Sequence, residues 1–287
     1  MTVAILLTVF NRKDTTLKCF RSLVPLCDEL VNYTFDIFMT DDGCSDGTPE
    51  AVESEFPQVH IVQGDGTLFW SGGMRVAWDA ASRHDTYDYY LWLNDDIKLY
   101  PHALKEIFQL SEELKDNTLI CGAFCNAKGN FTYGGCLKDS TRVIPNGQPQ
   151  DVVFTNGNLL LIPKAIYDVL GNIPKYFRHD GGDNDYGLRS LENGFRVVTT
   201  RSYLGECADN PKNKYGKGRK MGVTLWKRIK YLYSPMGLNP NMVFRYNLEH
   251  FGFKKALYTY LGLHYNILLP DFLYIKKHKS RIEGFDF

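Results

Sequence analysis

The sequence predicts an α/β fold in which helices flank a mostly parallel central sheet, followed by a basic, aromatic C-terminal extension. Over the first 120 residues, short apolar runs alternate with helical patterns, as is typical of βαβ units. Further along, the charge changes, because nine Lys or Arg and no Asp or Glu lie between Asn210 and Leu248. We therefore expect a core domain over residues 1–209 and a helical extension over residues 210–287.

The first half of the core is predicted to contain strands that alternate with helices. The predicted strands are Val3–Val9, Asp36–Thr40, Val59–Val62, Tyr89–Leu93 and Leu119–Ala123. Asp14 is a suitable cap for the first helix, and Thr48 is a suitable cap before Pro49, a residue that favours the first helical position. Further helices are predicted to begin near Gly72 and to cover Pro101–Glu113.

The second half is less regular. Phe131–Pro149 is predicted as a hairpin or loop, and Asp183–Asn193 as a short helix that Gly194 closes. The predicted strands here are Val152–Phe154, Asn158–Ile162 and Arg196–Thr200. A helical stretch near Leu257–Leu269 is predicted in the extension.

Composition and missing motifs exclude several classes of protein. Lys+Arg and Asp+Glu number 33 each, and no DNA- or RNA-binding motif is present, so we expect no nucleic-acid partner. The turn after the first strand, Asn11–Asp14, lacks the GxGxxG of dinucleotide-binding enzymes, and the sequence contains no GxxxxGK(S/T). These observations argue against a dehydrogenase and a P-loop NTPase.

The cysteines and the apolar runs bear on cellular location. Seven cysteines are scattered without a CxxC pair, which predicts reduced thiols and a cytosolic compartment. No apolar run reaches the length of about 18 residues that a membrane-spanning helix requires. The first apolar run, Val3–Phe10, has no basic segment before it, so we expect no signal peptide. Cytoplasmic location is expected, with peripheral attachment to the inner face of the cytoplasmic membrane left open.

Three acidic clusters follow predicted strands or precede a predicted helix. They are Asp41-Asp42-Gly43, Asn94-Asp95-Asp96 and Asp180–Asp185. In open α/β sheets, ligands bind beyond the carboxyl ends of the strands. The first cluster alone is more often a polar turn, whereas the adjacent carboxylates after Leu93 need a cation or hydrogen-bond donors. Carboxylate oxygens suit Mg²⁺ or Mn²⁺.

Four segments resemble motifs of the family-2 glycosyltransferases, inverting enzymes with the GT-A fold. Leu7–Arg12 is similar to the first strand and turn of that family, and Thr40–Thr48 to its VDDGSxDGT segment, with Cys44 in place of a serine. Asn94-Asp95-Asp96 resembles the DXD-type metal motif, and Gly182–Arg189 the ED-x-D-L-x-x-R segment. The resemblance covers roughly residues 1–207. It implies a donor-binding half over about 1–125 and an acceptor half over about 126–209.

The resemblance implies roles for individual residues of the donor site. Asp42 would bind the nucleobase, with Thr8 and Phe10 or Arg12 beside it. Asp95 would contact the ribose or the sugar.

The resemblance also implies a base and a metal site. Asp183 would be the general base, and Asp185 would take part in catalysis or support the helix start or the acceptor. Asp96 would hold Mn²⁺ or Mg²⁺ bridging the diphosphate. Glu206 stands where family members often supply a histidine ligand, so it is the second candidate ligand. Gly182 replaces the usual Glu, which removes a carboxylate that could raise the pKa of the base.

The glycine-rich segment Gly66–Gly73 is open to two interpretations. A glycine such as Gly73 lets the backbone approach a diphosphate, and Trp70 suits stacking on a sugar, which makes both candidates for donor binding. A turn before a helix explains the segment equally well.

The function implied by the resemblance is metal-dependent, inverting sugar transfer in surface polysaccharide or glycolipid assembly. The donor would be a UDP-, dTDP- or GDP-linked sugar, and the acceptor a hydroxyl of a glycan or of a lipid-diphosphate-linked glycan. A sugar nucleotidyltransferase would be expected to carry GxGxR where this chain has Asn11-Arg12-Lys13. A non-enzymatic nucleotide- or glycan-binding relative is the other alternative, against which the presence of both Asp96 and Asp183 speaks.

The basic segment Lys212–Lys230, continuing to Arg245, is expected to dock on an anionic membrane or to gather a lipid-diphosphate acceptor. A solvated basic loop is the alternative. Of the histidines, His179 lies four residues before Asp183 and remains a candidate for the site. His250 and His264 lie on aromatic stretches that are predicted to pack.

Overall fold

The computed structural model describes residues 1–208 and 219–278. The chain forms two compact units, Met1–Asp209 and Asn210–Phe287. The strands of the first unit are β1 (Thr2–Val9), β2 (Thr34–Asp41), β3 (Val59–Gln63), β4 (Tyr89–Leu93), β5 (Ile97–Leu99), β6 (Thr118–Cys125), β7 (Phe131–Tyr133), β8 (Gln150–Asp151), β9 (Leu159–Pro163) and β10 (Arg196–Cys207). Its helices are α1 (Lys13–Glu29), α2 (Thr48–Glu55), α3 (Phe69–His84), α4 (Ala103–Glu113), α5 (Lys164–Leu170) and α6 (Gly182–Glu192).

Parallel pairing brings the carboxyl ends of several strands to one edge of the sheet. The strand order is β3-β2-β1-β4-β9-β6-β10-β5, with β7 on β6 and β8 on β10. β1 pairs in parallel with β2 and with β4. β9 runs antiparallel to β4 and β6, so β6 and its parallel neighbour β10 run in the same direction as β1. The predicted α/β fold with helices flanking a central sheet is confirmed. The sheet itself is mixed, with four parallel and five antiparallel strand pairings.

Helices cover both faces of the sheet, which explains why β1 is a continuous apolar run. Val3 and Ile5 pack in one core cluster with Phe20 of α1. The other face contacts α3, whose Trp78 is fully buried. A strand buried on both faces has no polar side to alternate with.

The structure moves several predicted boundaries. α3 begins at Phe69 rather than near Gly72. β10 continues beyond the predicted end at Thr200 to Cys207, and its pairing with β6 resumes after register shifts that follow Thr199. The predicted strand Val152–Phe154 is wrong. β8 covers Gln150–Asp151 instead, and Phe154 forms an isolated bridge with Cys136.

The second unit is helical over its described residues. Its helices are α7 (Leu225–Leu232), α8 (Pro240–Phe251), α9 (Phe253–Leu268) and α10 (Asp271–Lys277). The side chain of Asn239 accepts from the backbone N–H of Asn241 and so caps α8, and Pro240 occupies the first turn. Gly252, with φ +80°, separates α8 from α9. Neither 1–208 nor 219–278 contains a helix with the length and apolar character needed to cross a membrane.

Candidate active site

Arg12 joins the two carboxylates that follow β4. Its guanidinium donates to Oδ1 of Asp95 and, at 3.1 Å, to Oδ2 of Asp96. Thr16, on the first turns of α1, donates to Oδ2 of Asp95 at 2.8 Å. The parallel pairing of β1 with β4 makes this contact possible, because it brings the turn after β1 beside the end of β4. Three residues predicted for the donor and metal sites therefore lie together.

Asp95 is fully buried, and its pKa reflects the burial. Loss of solvent raises the pKa of Asp95 to about 6, and the neighbouring Asp96 adds to the rise. The positive charge of Arg12 and the hydroxyl of Thr16 oppose it. Asp95 is consequently held in place by protein donors on both of its oxygens.

Asp96 keeps one oxygen available for a ligand. Its Oδ1 is buried and has no hydrogen-bond partner in the described part of the chain. A buried carboxylate oxygen without a partner is costly, which indicates a site that a cation completes. Asp96 and Glu206 line the same cavity, of about 610 Å³. Tyr100 donates to Oε1 of Glu206 at 3.4 Å, which leaves Oε2 for another partner.

The carboxylates of Asp96 and Glu206 suit Mn²⁺ or Mg²⁺, because these ions take few protein ligands and keep waters and phosphate oxygens. Residues 1–208 and 219–278 contain no group of three or more His, Cys, Asp or Glu side chains that would hold a metal by themselves. The donor set therefore fits an ion shared with a phosphate ligand. Three lysines line the same cavity: Lys18, Lys98 and Lys128.

Asp42 organises the loop that precedes α3. Its carboxylate accepts backbone N–H groups from Gly66 at 3.0 Å, Leu68 at 3.1 Å and Phe69 at 2.9 Å. Phe69 has φ +59°, a conformation that bulky residues rarely adopt, and the Asp42 hydrogen bond helps to hold it. This support explains why α3 begins at Phe69, and it is a role that the motif did not reveal.

Thr8 and Gly73 contact each other across the sheet surface. A β-carbon on Gly73 would lie 2.0 Å from Oγ1 of Thr8, and Thr40 donates to the carbonyl oxygen of Gly73 at 2.8 Å. Gly73 is thus required for the close approach of α3 to β1, and its buried position gives it a packing role. Phe10, in contrast, is exposed at the end of β1.

Trp70 connects to the chain beyond β4 through two asparagines. Its Nε1 donates to Oδ1 of Asn94, and Nδ2 of Asn94 donates to Oδ1 of Asn158, both at 2.7 Å. The indole ring also covers Gly157, where a β-carbon would lie 2.1 Å from Cζ2 of Trp70. Trp70 therefore holds Asn94, the residue directly before Asp95.

Asp183 is held at the start of α6 by backbone donors. Oδ2 accepts from the N–H of Gly157 at 3.2 Å and Oδ1 from the N–H of Asn184 at 2.9 Å. Burial raises the pKa of Asp183 to about 6, Asn184 opposes the rise, and Asp180 adds to it. The carboxylate is thus a competent proton acceptor at neutral pH, even though the usual neighbouring Glu is replaced by Gly182.

Gly182 has little room for a side chain, since a β-carbon would lie 2.9 Å from Oγ of Ser71. Asp185 is also confined. It has 0% exposure, and Oδ2 accepts from Nε of Arg189 at 2.8 Å. This burial favours the supporting role of Asp185 over the catalytic one.

The segment before α6 is tied to the start of α3. The N–H of Gly72 donates to the carbonyl oxygen of Arg178 at 3.1 Å, and Ser71 donates to that of His179 at 2.8 Å. The ring of His179 contacts Phe69 edge-on, with centroids 6.1 Å apart. His179 therefore lies beside the loop that Asp42 shapes.

Comparison with known proteins identifies the family. The sequence profile described as Glycosyl transferase family 2 matches residues 4–171, more than half of the chain. The chain belongs to glycosyl transferase family 2. The match includes the Asp42 and Asp95-Asp96 segments, and Asp183 follows it. No match was found among curated proteins.

Two solved structures share the fold of this family-2 glycosyltransferase. The mannosyltransferase PcManGT from Pyrobaculum calidifontis, in complex with GDP-Man and Mn²⁺, has a TM-score of 0.54 and 15% identity. The match covers 91% of this chain and 73% of that one. TarS 1-349 of S. aureus in complex with UDP-GlcNAc has a TM-score of 0.52 and 13% identity, over 92% and 73% of the two chains. Both support the GT-A fold.

Sequence reasoning missed the residues that connect the site of this glycosyltransferase. Asn94 was placed in an acidic cluster by its sequence but was assigned no role. No role was assigned to Gly157 or Asn158 either. Arg178 was missed as well; its guanidinium lies over the ring of Phe69, 5.4 Å from the centroid. The run Asn156-Gly157-Asn158 was the available signal, since one glycine between two asparagines marks a turn whose backbone approaches other groups.

Proposed function

We propose that this glycosyltransferase moves a sugar from a nucleotide-diphosphosugar to a hydroxyl acceptor with inversion at the anomeric carbon. The observation that carries the proposal is the Asp183 carboxylate, whose raised pKa and two backbone donors suit a general base. We assign donor binding to residues of the half over about 1–125 and acceptor binding to those over about 126–209.

Asp183 accepts the proton of the acceptor hydroxyl. The hydroxyl oxygen attacks the anomeric carbon from the side opposite the diphosphate, a new C–O bond forms, and the bond to the diphosphate oxygen breaks. The departing nucleoside diphosphate retains the bonding electron pair. Because a single displacement takes place, the anomeric configuration inverts.

Asp96 and Glu206 would hold Mn²⁺ or Mg²⁺, which when bound offsets the negative charge of the diphosphate as a Lewis acid. Lys18, Lys98 and Lys128 line the same cavity and add positive charge where the leaving group is expected. Arg12 holds Asp95 and Asp96 in position, and its positive charge reduces the repulsion between the two carboxylates and the donor.

A nucleotide sugar is the proposed donor, since structural neighbours bind GDP-Man and UDP-GlcNAc. UDP-, dTDP- and GDP-linked sugars are the candidates. The proposed acceptor is a glycan or a lipid-diphosphate-linked glycan of surface polysaccharide or glycolipid assembly, which would place the enzyme at the inner face of the cytoplasmic membrane.

A donor-hydrolysis panel tests the proposal. UDP-, dTDP- and GDP-sugars are incubated with the enzyme and Mn²⁺, Mg²⁺ or chelator, and the released nucleoside diphosphate is measured. We expect release from one nucleotide class, dependent on the added metal, and NMR of a transfer product should show inverted anomeric configuration. Hydrolysis that is unaffected by chelator would contradict the metal role, and a retained configuration would contradict the single displacement.

A further inference from the structure

An exposed apolar surface runs along α9 and α10. We call it the α9–α10 surface, and it consists of Leu257, Tyr258, Leu261, Tyr265, Leu268 and Phe272. Leu261, Leu268 and Phe272 are 57%, 61% and 69% exposed. Along α9 the members are spaced by three or four residues, except that Tyr258 directly follows Leu257, so they share one side of the helix. Exposed apolar side chains gathered in this way mark an interaction site.

The exposure is not that of a loosely attached helix. α9 packs against α7 and α8, and it buries Ala256 and Ile267. It carries no Asp or Glu along Phe253–Leu268. α9 is therefore apolar both on the side that packs and on the side that is exposed. A helix that is apolar on both sides needs a second apolar environment to cover its exposed side.

Positive charge lies at both ends of this surface. Over residues 219–278 the only acidic residues are Glu249 and Asp271, and arginines pair with both. Seven lysines in the same range form no ion pair there: Lys220, Lys227, Lys230, Lys254, Lys255, Lys276 and Lys277. Two of them stand at the N-terminal end of α9 and two at the C-terminal end of α10. Both ends of the apolar surface are thus basic.

Two arginines of the predicted basic segment have an internal role instead. Arg219 is 3% exposed, donates to the carbonyl oxygens of Asn266 and Leu269, and pairs with Asp271. Arg228 donates to the same carbonyl of Leu269 at 2.9 Å. The prediction that these two side chains face lipid is therefore wrong, because they join α9 to α10. Lys212, Lys214 and Lys217 lie outside the described residues.

We propose that the α9–α10 surface docks on an anionic lipid bilayer. Its apolar side chains would enter the boundary between headgroups and acyl chains, while the lysines contact lipid phosphates. Tyr258 and Tyr265 suit that boundary, since each has an apolar ring and a polar hydroxyl. A second copy of the chain is a poorer partner, because it would bring like-charged lysines together. The inference involves no residue of the candidate active site and does not rest on the proposed reaction.

Vesicle sedimentation of the full chain, without donor or acceptor, tests this proposal. We expect binding to phosphatidylcholine vesicles containing about 30% phosphatidylglycerol to exceed binding to pure phosphatidylcholine at least about tenfold, and to weaken with salt. Leu261→Glu with Leu268→Glu should reduce binding at least about tenfold. Lys254→Ser with Lys255→Ser should reduce it at least about fivefold.

Val31→Glu with Val169→Glu is the matched control. It makes the same change of charge at two exposed apolar positions of the first unit, 89% and 56% exposed, and should leave binding unchanged. Thermal unfolding checks that each variant folds. Equal binding by the Leu261→Glu, Leu268→Glu variant would overturn the proposal. So would a wild-type dimer that this variant converts to a monomer while neither binds vesicles, since a second copy would then cover the surface.

Discussion

The backbone N–H of Gly157 donates a 3.2 Å hydrogen bond to Oδ2 of Asp183. The next residue, Asn158, accepts from Asn94, which directly precedes Asp95 and Asp96. One short turn therefore contacts both the proposed base and the residue that directly precedes the carboxylates after β4. Backbone donors have no side-chain rotamers, so this turn fixes the direction of the Asp183 carboxylate more firmly than a side-chain donor would.

Asp183→Asn should leave donor affinity close to that of the wild type and lower kcat at least about 10²-fold, because an amide does not accept the acceptor proton. Steady-state kinetics and calorimetry with nucleoside diphosphate separate the two effects. Asp168→Asn, an exposed carboxylate of α5, is the control and should leave kcat unchanged. If Asp185→Asn is more damaging than Asp183→Asn to kcat in a variant of normal stability, the roles of the two carboxylates are reversed.

The raised pKa of Asp183, about 6, predicts the pH dependence of transfer. The base acts in its ionised form, so kcat should fall about tenfold per pH unit below about pH 6 and reach a plateau above it. The profile is measured on the first turnover of enzyme to which the donor is already bound, so that donor binding does not contribute to the measured rate. In Asp183→Asn the residual rate should lose this dependence. A wild-type profile that is flat between pH 5 and 8 would argue against this base. That pH range extends at least about one unit below and above the pKa, which is enough to reveal the titration.

Asp96→Ala should abolish the tightening of nucleoside-diphosphate binding by Mn²⁺, measured by calorimetry, because the variant loses the one buried carboxylate oxygen that lacks a protein partner in the described residues. Glu206→Gln should weaken the metal effect less, since Tyr100 already engages that carboxylate. Lys105→Ala, on the exposed side of α4, is the control. Mn²⁺ dependence that survives in Asp96→Ala would show that the ion binds elsewhere.

Asp42→Ala should weaken nucleotide binding with and without metal, and should also destabilise the loop before α3. It leaves three backbone N–H groups without their acceptor, at a cost of roughly 1–3 kcal/mol in the free energy of unfolding. Asp65→Ala removes an exposed carboxylate from the same loop and should have the smaller effect on both measurements. Equal effects of the two variants would mean that Asp42 has no special place in the donor site.

The sequence predicted the residues whose signal is local. The strand ends, Asp42, Asp95-Asp96 and the start of α6 all stand out because polar residues directly follow apolar runs or open a helix. The pairing of Asp185 with Arg189 was also within reach, since residues four apart on a helix are neighbours. Such features need no knowledge of which strands are adjacent.

The remaining contacts depend on the topology. Arg12 meets Asp95 only because β1 and β4 are neighbours, although 83 positions separate the two residues. Asn94 meets Asn158 because β9 runs antiparallel to β4, and periodicity does not predict that pairing. Similarly, the positive charge of Arg219 suggested an exposed side chain. The structure instead buries its guanidinium, which donates hydrogen bonds to carbonyl oxygens at the end of α9.

Gly157→Ala offers a test of the turn that contacts Asp183. The added methyl would lie 2.1 Å from Cζ2 of Trp70, so the ring or the turn has to move, and movement of the turn withdraws the N–H from Asp183. We expect kcat to fall at least about tenfold with a smaller change in nucleoside-diphosphate affinity. Gly262→Ala, where a β-carbon meets nothing within 4 Å, is the control substitution.

Trp70→Phe and Gly157→Ala together form a double-mutant cycle. A phenyl ring lacks the outer atoms Cζ2 and Cη2 of Trp70, which obstruct the methyl group that Gly157→Ala adds. Alone, Trp70→Phe loses the hydrogen bond to Asn94 and should lower kcat. Combined with Gly157→Ala it makes room for the methyl group, so the double variant should lose less activity than the product of the two single losses. The pH profile of kcat separates positioning from general disruption, since a weakened N–H bond to Asp183 should raise the pKa of the base. Strictly multiplicative losses with an unchanged profile would show that Trp70 and Gly157 act independently and that the Gly157 N–H does not set the pKa of Asp183.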